Sequence, residues 1–173
     1  MPNSDAGRFE ALYKEHSSRL FNLARRMCGS RTDAEDLLQE IFLLAYRKLD
    51  DFRGDSAIGT WLYRVAMNRC LDYLKSADTR ARRVTTPLDE GVWTRPPGCR
   101  ISRDGCITKM DLERAIGQLP EGARSAFLLH DVEGFQHQEI AAILGISEGT
   151  SKSQVHKARL RIRALLRGSD DVR

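Results

Sequence analysis

The sequence contains no apolar run that approaches the roughly 18 residues of a membrane span. Its first residues, MPNSDAGRFE, contain no basic stretch followed by an apolar core, so they do not resemble a secretory signal. Convincing alternation of apolar and polar residues, the pattern of a half-buried strand, is also missing. We therefore expect a cytoplasmic, helical protein that inserts no segment of its own into a membrane.

The chain has only four cysteines and four histidines, and none is spaced as C-x₂-C or H-x₃-H. Zinc binding is therefore not expected. Without an oxidising compartment the cysteines default to reduced thiols, although Cys99 and Cys106 could be either redox-active or inert. Phosphate-binding glycine loops and nucleophile elbows are absent too. The sequence predicts no enzyme, no catalytic residues, no metal and no cofactor.

Charge is distributed unevenly along the chain, although the net charge of +4 is mild. Residues 32–51 contain six acids and two bases, whereas residues 148–167 contain six bases and one acid. An acidic surface early in the chain and a basic surface late in the chain indicate two different partners.

Helical periodicity dominates both halves of the chain. Residues 1–75 are predicted to form one small helical domain, in which Thr32 caps the second helix with Glu35 three residues later. Residues 76–108 are rich in proline and glycine and are predicted to be a flexible linker. Residues 109–173 form a second helical domain. The fold class is all-α, with two small domains and a helix-turn-helix in the second.

The helix-turn-helix prediction depends on the stretch HQEIAAILGISEGTSKSQVHKAR, in which Gly145 makes the turn and Ser147 caps the next helix. An ordinary helical hairpin is the alternative. The next helix has an apolar stripe that includes Val155 and Ile162. Its polar side chains can bond bases and phosphates, as the first turns of a recognition helix must, and those we select are Thr150, Lys152, Ser153, Gln154, His156, Lys157 and Arg161.

A second candidate surface lies in the first half, on the predicted third helix. Trp61, Arg64 and Asn68 are spaced i, i+3 and i+7, which places them on one helix face. An aromatic ring, a cation and an amide together could bind single-stranded nucleic acid by stacking, charge neutralisation and base-edge hydrogen bonds. Alternatively, Trp61 only anchors the helix in the core.

Two stretches resemble a known family. DAEDLLQEIFLLAYRKLDDFRGDSAIGTWLYRVAMN is similar to the second conserved region of extracytoplasmic-function sigma factors, which belong to the sigma-70 family. LPEGARSAFLLHDVEGFQHQEIAAILGISEGTSKSQVHKAR is similar to their fourth region, and both stretches occur in the family's order. The resemblance implies a factor that binds core RNA polymerase and directs initiation at specific promoters.

The resemblance also implies partners and site residues. Asp36, Gln39 and Glu40 would bind the coiled-coil of the polymerase β′ subunit, and the second domain would lie near the β-flap. The melted −10 element of promoter DNA would be bound by Phe52, Trp61, Arg64 and Asn68. The last helix would read the −35 element as duplex DNA through Lys152, Ser153, Gln154 and Lys157. We expect an anti-sigma factor to control the protein, with the two separated domains closing around its inserted helical peptide.

Two positions and one stretch depart from the family pattern. Ser151 and Gln154 replace a branched apolar residue and an arginine, so packing at Ser151 should be lighter and Gln154 should favour adenine. The stretch FQHQEIA also differs, and His137 is predicted to face solvent. Outside this family, a helix-turn-helix regulator that does not melt promoters is the main alternative, followed by an adaptor whose basic helix binds an acidic protein.

Overall fold

The structure is a computed structural model that describes residues 2–50, 52, 54, 57–84 and 108–167. These residues form helices and no strand, which confirms the all-α prediction. The first domain contains α1 (Pro2–Cys28), α2 (Arg31–Lys48) and α3 (Ile58–Val84). The second contains α4 (Lys109–Gly117), α5 (Glu121–Phe127) with a following π-helical turn (Leu128–Val132), α6 (His137–Leu144) and α7 (Glu148–Arg167).

The first three helices pack around a shared apolar core. On α1 the buried side chains recur every three or four residues, as expected for a helix with one inward face. They include Leu20, Leu23 and Met27, each almost fully buried. Leu37 and Ile41 face them from α2. Both helices therefore bury one apolar side in the core of the first domain.

The capping residue of α2 differs from the prediction. Ser30, not Thr32, has the extended backbone of an N-cap, and its side chain accepts a hydrogen bond from the backbone N–H of Asp33. The pattern of a hydroxyl followed three residues later by an acid occurs twice here, at Ser30 and at Thr32. The prediction that Thr32 caps α2 is wrong, because the helix starts two residues earlier.

Helix α3 is longer than its apolar pattern indicates. It continues to Val84, so residues 76–84 are helical where the sequence predicted extended chain. The rest of the predicted linker up to residue 107, with Cys99 and Cys106, lies outside the described residues. The limits of the domains and linker stay predictions.

The second domain begins with short helices that lead into the longer α7. Thr108 and Asp111 form a reciprocal capping box at the start of α4. Helix α5 starts after Pro120, and the π-helical turn extends it to Val132. The apolar faces of α5, α6 and α7 meet around a core that includes Leu128, Ile140 and Val155.

The two domains are in direct contact, which differs from the expectation that they are separated. Helix α6 packs against α3, and α1 contacts both α4 and α5. This contact could not be read from the sequence, because its hydrogen bonds join polar side chains that are 70 or more positions apart.

Candidate functional site

The helix-turn-helix prediction is confirmed by the geometry of the turn between α6 and α7. Gly145 has a φ of 67°, the left-handed conformation that favours glycine. The backbone N–H of Thr150 donates to the hydroxyl of Ser147 over 3.0 Å, so Ser147 caps α7 as predicted. Val155, Ala158 and Ile162 of α7 are buried, which fixes which side of the helix remains outside.

The outer side of α7 carries exposed polar and cationic side chains from its first turns. Lys152, Ser153, His156 and Lys157 are all exposed, and their i, i+1, i+4 and i+5 spacing places them on one face. Lys152 forms an ion pair with Glu148 over 2.7 Å, which leaves its side chain 60% exposed. Thr150 is exposed as well, at the same end of the helix. We call this outer side the α7 face.

Gln154 and Arg161 lie at the edge of the α7 face and not at its centre. Both are half-buried, and they line a pocket against α5 together with Lys157. A Cβ added at Gly122 of α5 would lie 3.6 Å from the amide nitrogen of Gln154. The amide of Gln154 is therefore next to α5, and its preference for adenine stays a prediction.

His137 does not face solvent, so that prediction is wrong. Its ring is half-buried and stacks on the ring of His130, with 4.3 Å between the ring centroids. Its Nδ1 is 3.1 Å from the hydroxyl of Ser151, which is fully buried. Ser151 thus replaces apolar packing by a hydrogen bond that ties the start of α6 to α7. His130 in turn bonds the carbonyl oxygen of Phe135 over 2.9 Å.

The position of His137 predicts that the folded protein is less stable in mild acid. Burial, the neighbouring His130 and the cations Lys152 and Arg159 hold the pKa of His137 below its ordinary value, while Glu148 opposes them. Below about pH 6.5 the unfolded chain therefore binds more protons than the folded chain. The free energy of unfolding consequently decreases as the pH is lowered. Thermal unfolding of His137→Gln should show a weaker dependence between about pH 8 and about pH 5.5 than the unaltered protein.

His156→Gln is the matched control, because His156 is an exposed histidine on the same helix-turn-helix. Its melting temperatures should follow those of the unaltered protein at every pH. An identical pH dependence for His137→Gln and the unaltered protein would show that His137 does not couple protonation to folding.

On α2 the predicted polymerase-binding residues lie at one surface. Asp36 and Gln39 are exposed, whereas Glu40 is half-buried and accepts a hydrogen bond from Nε of Arg69 on α3. The same helix exposes two large apolar side chains, Leu43 at 58% and Tyr46 at 55%. Sequence reasoning missed both. Leu43 is seven residues after Asp36 and four after Gln39, so its spacing alone placed it on this surface.

On α3 the predicted trio separates into two groups. Arg64 and Asn68 are exposed and one turn apart. Trp61 is buried, with 8% of its surface exposed, and packs on the half-buried ring of Phe52 with 5.4 Å between ring centroids. Trp61 therefore does not share the outer face with Arg64 and Asn68, and the alternative, in which it anchors the helix in the core, is confirmed. The reason is that α3 packs against α1, α2 and α6, so its buried sector is wider than one apolar stripe.

Within the described ranges, no three histidine, cysteine or acidic side chains are grouped so that they could hold a metal ion. Cys28 and Cys70 are free thiols. No helix in the same ranges has the length and apolar character that crossing a membrane requires.

Comparison with known proteins covers both domains. The family model for Sigma-70 region 2 matches residues 12–80, and that for Sigma-70 region 4 matches residues 109–162. The chain is 35% identical to the ECF RNA polymerase sigma factor SigM of Mycobacterium tuberculosis over 158 residues, 91% of this chain and 76% of SigM. It is 34% identical to the ECF RNA polymerase sigma-E factor of Escherichia coli over 165 residues, 90% of this chain and 84% of that factor.

Among solved structures, the sigma factor RpoE of Bartonella quintana in its co-crystal structure with the anti-sigma factor NepR matches with a TM-score of 0.75 and 26% identity. That match covers 95% of this chain and 99% of the RpoE chain. Two family models, relatives along nearly the whole length and the helical fold agree. The chain therefore belongs to the extracytoplasmic-function sigma factors of the sigma-70 family.

Proposed function

We propose that this sigma factor binds core RNA polymerase through α2, reads the −35 element with the α7 face and binds the melted −10 element with α3. The observation that carries the proposal is that three exposed polar surfaces occur on three helices whose opposite sides are buried in the two family domains. Sigma factors are not an enzyme family, and we assign no catalytic residue, metal or cofactor to this chain.

The α2 surface combines polar groups with exposed apolar area, as protein–protein interfaces do. Asp36 and Gln39 offer polar groups, and the exposed Leu43 and Tyr46 offer apolar area next to them. We assign this surface to the coiled-coil of the polymerase β′ subunit, as the sequence resemblance implied. Glu40 contributes in a different way, because its bond with Arg69 fixes α2 against α3.

For the −10 element we assign the direct contacts to Arg64 and Asn68. A cation can neutralise a phosphate, and an exposed amide can both donate to and accept from the edge of an unpaired base. Trp61 and Phe52 take a supporting role, because their packing holds the start of α3 in place. A base could stack on the Phe52–Trp61 pair only at its exposed rim.

For the −35 element the proposed contacts are those of the α7 face and its edge. Lys152, Ser153, His156 and Lys157 are exposed, and we assign them to the major groove, with Thr150 assigned to the adjoining phosphates. Gln154 and Arg161 would contact DNA from the edge. Lysine and serine donors serve both bases and phosphates, so the recognition and positioning roles overlap here.

An anti-sigma factor is the proposed regulator, and the cytoplasm is the proposed location. RpoE was solved with its anti-sigma factor NepR, and its chain matches this one across both domains in a single superposition. The second domain is proposed to contact the β-flap while bound to polymerase.

The test is run-off transcription with core polymerase and the purified protein. We expect initiation at a specific promoter that core polymerase alone does not use. If the protein shifts duplex DNA but never supports initiation, the helix-turn-helix regulator replaces the sigma factor as the explanation. Binding to an acidic protein without any DNA binding would favour the adaptor.

Asn68→Ala should weaken open-complex formation more than it weakens recruitment to the promoter. Loss of one base-edge contact costs about 1–3 kcal/mol, so the rate of abortive initiation should fall by roughly 5-fold to 150-fold. Asn22→Ala is the matched control, because Asn22 is an exposed helical asparagine on α1. Unchanged rates for Asn68→Ala on duplex and pre-melted templates would remove Asn68 from the −10 site.

A further inference from the structure

The contact between the two domains contains a buried carboxylate that joins three parts of the chain. Glu133 follows the π-helical turn of the second domain, and only 4% of its side chain is exposed. It accepts a hydrogen bond from the phenol of Tyr63 on α3 over 2.6 Å. It also accepts one from Nε of Arg19 on α1 over 3.1 Å, and Arg19 donates to the carbonyl oxygen of Glu133 as well.

A second polar contact joins the end of α1 to α4. Arg26 donates from Nε and Nη2 to the carboxylate of Glu113, with distances of 2.8–3.2 Å. Because the Arg26 guanidinium donates to it, the pKa of the Glu113 carboxyl lies below its ordinary range. Arg124 of α5 adds a third contact, because its Nη1 donates to the carbonyl oxygen of Met27 over 2.7 Å.

These contacts are specific because each buried charge depends on its partner. A carboxylate that loses its partners inside a contact keeps the cost of being out of water. Tyr63 also packs on Phe135 of the second domain, with 4.9 Å between ring centroids, so the phenol is held where Glu133 can accept from it. The result is a matched polar interface, which opens more easily than a large apolar one.

The closed arrangement conflicts with binding to both promoter elements at once. Elements centred near −35 and −10 are about 25 base pairs apart, which is about 85 Å along B-form DNA. A compact chain of this length has a radius of gyration of about 16 Å and is only about 40 Å across. While α1 and α3 contact α4, α5 and α6, the two DNA-binding surfaces cannot span that distance.

We propose that this chain holds itself in an autoinhibited, closed state in which the α1–α3 surface binds the chain's own second domain through Tyr63–Glu133–Arg19 and Arg26–Glu113. The two domains must separate before both promoter elements are bound. The consequence for transcription rests on the proposed function, whereas closure itself is a property of the free protein and is measured without polymerase or DNA.

The Arg26–Glu113 pair allows a charge-swap test with an unequal expected outcome. Among the described residues, the cleft around it is also lined by Arg25, Lys109 and Arg114, so Glu113 is the single acid beside four cations in this lining. Glu113→Arg would leave five cations together and should open the domains fully. Arg26→Glu would pair two acids with three remaining cations and should open them less. The double variant Arg26→Glu with Glu113→Arg should close them again.

Small-angle scattering of the full chain measures the outcome, with circular dichroism as the check on helix content. The radius of gyration should be near 16 Å for the unaltered protein. It should rise by several ångströms in Glu113→Arg and return in the double variant. The same swap at the exposed pair Arg31–Glu35, which lies within α2, is the matched control and should change nothing.

Three results would overturn the proposal. One is an unaltered protein that already has the radius of the open variant, and another is a natively helical Glu113→Arg that stays compact. The third is a natively helical double variant that stays open. If Glu113→Arg loses helix content, the variant Tyr63→Phe with Glu133→Gln takes its place in the experiment. This second variant should also open the domains, so a compact and natively helical Tyr63→Phe with Glu133→Gln would contradict the proposal. Failure of run-off transcription alone would overturn the proposed function and leave this result standing.

Discussion

Asp36→Lys combined with Leu43→Ala should lower the affinity for core RNA polymerase by about 100-fold or more, without unfolding the protein. Truncation of an apolar hot-spot residue typically costs about 2 kcal/mol or more, and a reversed charge adds repulsion from a basic partner. Both side chains are exposed on α2, so neither change removes a packed group from the core. Competition with a labelled sigma factor for core polymerase, read by fluorescence anisotropy, measures the loss.

The bonding partner of each acid on α2 decides whether its charge can be reversed without damaging the fold. Glu40 is unsuitable for charge reversal, because a lysine there would face Arg69 and weaken the contact between α2 and α3. Glu15→Lys is the control with the same change of charge, since Glu15 lies on α1 and its side chain is 75% exposed. If Asp36→Lys with Leu43→Ala binds core polymerase like the Glu15→Lys control, the α2 surface is not the polymerase site.

The helices and the turn of the second domain were predictable because their signals are local. A buried stripe at Val155, Ala158 and Ile162 needs only a helical period and one apolar side. Gly145 and Ser147 predict the turn, because glycine favours the left-handed conformation and serine favours the N-cap position. The outer face of α7 was predictable from the same helical period, because the side chains outside the buried stripe must point away from the core.

The faces of α3 were harder to predict, because they depend on partners distant in sequence. Trp61, Leu62 and Tyr63 are consecutive and all buried, which no single helical stripe permits. Helices α1 and α2 cover one side of α3, while α6 of the second domain covers another. The sequence therefore located Arg64 and Asn68 correctly on the outside but could not decide whether Trp61 lay beside them or in the core.

Polar contacts between the domains were also beyond sequence reasoning. Glu133 looks like a solvated acid before a turn, and Tyr63 looks like one more aromatic residue of α3. Their 2.6 Å hydrogen bond requires the second domain to fold back onto the first. His137 shows the same limit at short range, because its burial depends on the hydroxyl that Ser151 places opposite it.

Lys152→Ala combined with Lys157→Ala should weaken binding to duplex −35 DNA by at least about 30-fold, taking about 1 kcal/mol as the minimum for each lost contact. Both lysines are exposed on the α7 face. The ion pair of Lys152 with Glu148 is exposed, so its loss should affect folding by no more than about 1 kcal/mol. If each lysine neutralises one phosphate, the slope of log affinity against log salt should become less steep by about 1.8.

The salt slope separates a DNA contact from indirect damage to the helix-turn-helix. A variant with a distorted α7 would bind DNA poorly because the whole helix-turn-helix fits the groove badly. Its lower DNA affinity would not be accompanied by the change in salt slope that is expected when two phosphate-binding cations are removed. Lys14→Ala with Lys48→Ala is the control, because both lysines are exposed on the first domain and their removal lowers the net charge equally. Its affinity should remain within about 3-fold of the unaltered protein, since charges beyond roughly 10 Å are screened at moderate salt. Equal losses in the two double variants would mean that net charge, and not the α7 face, holds the −35 element.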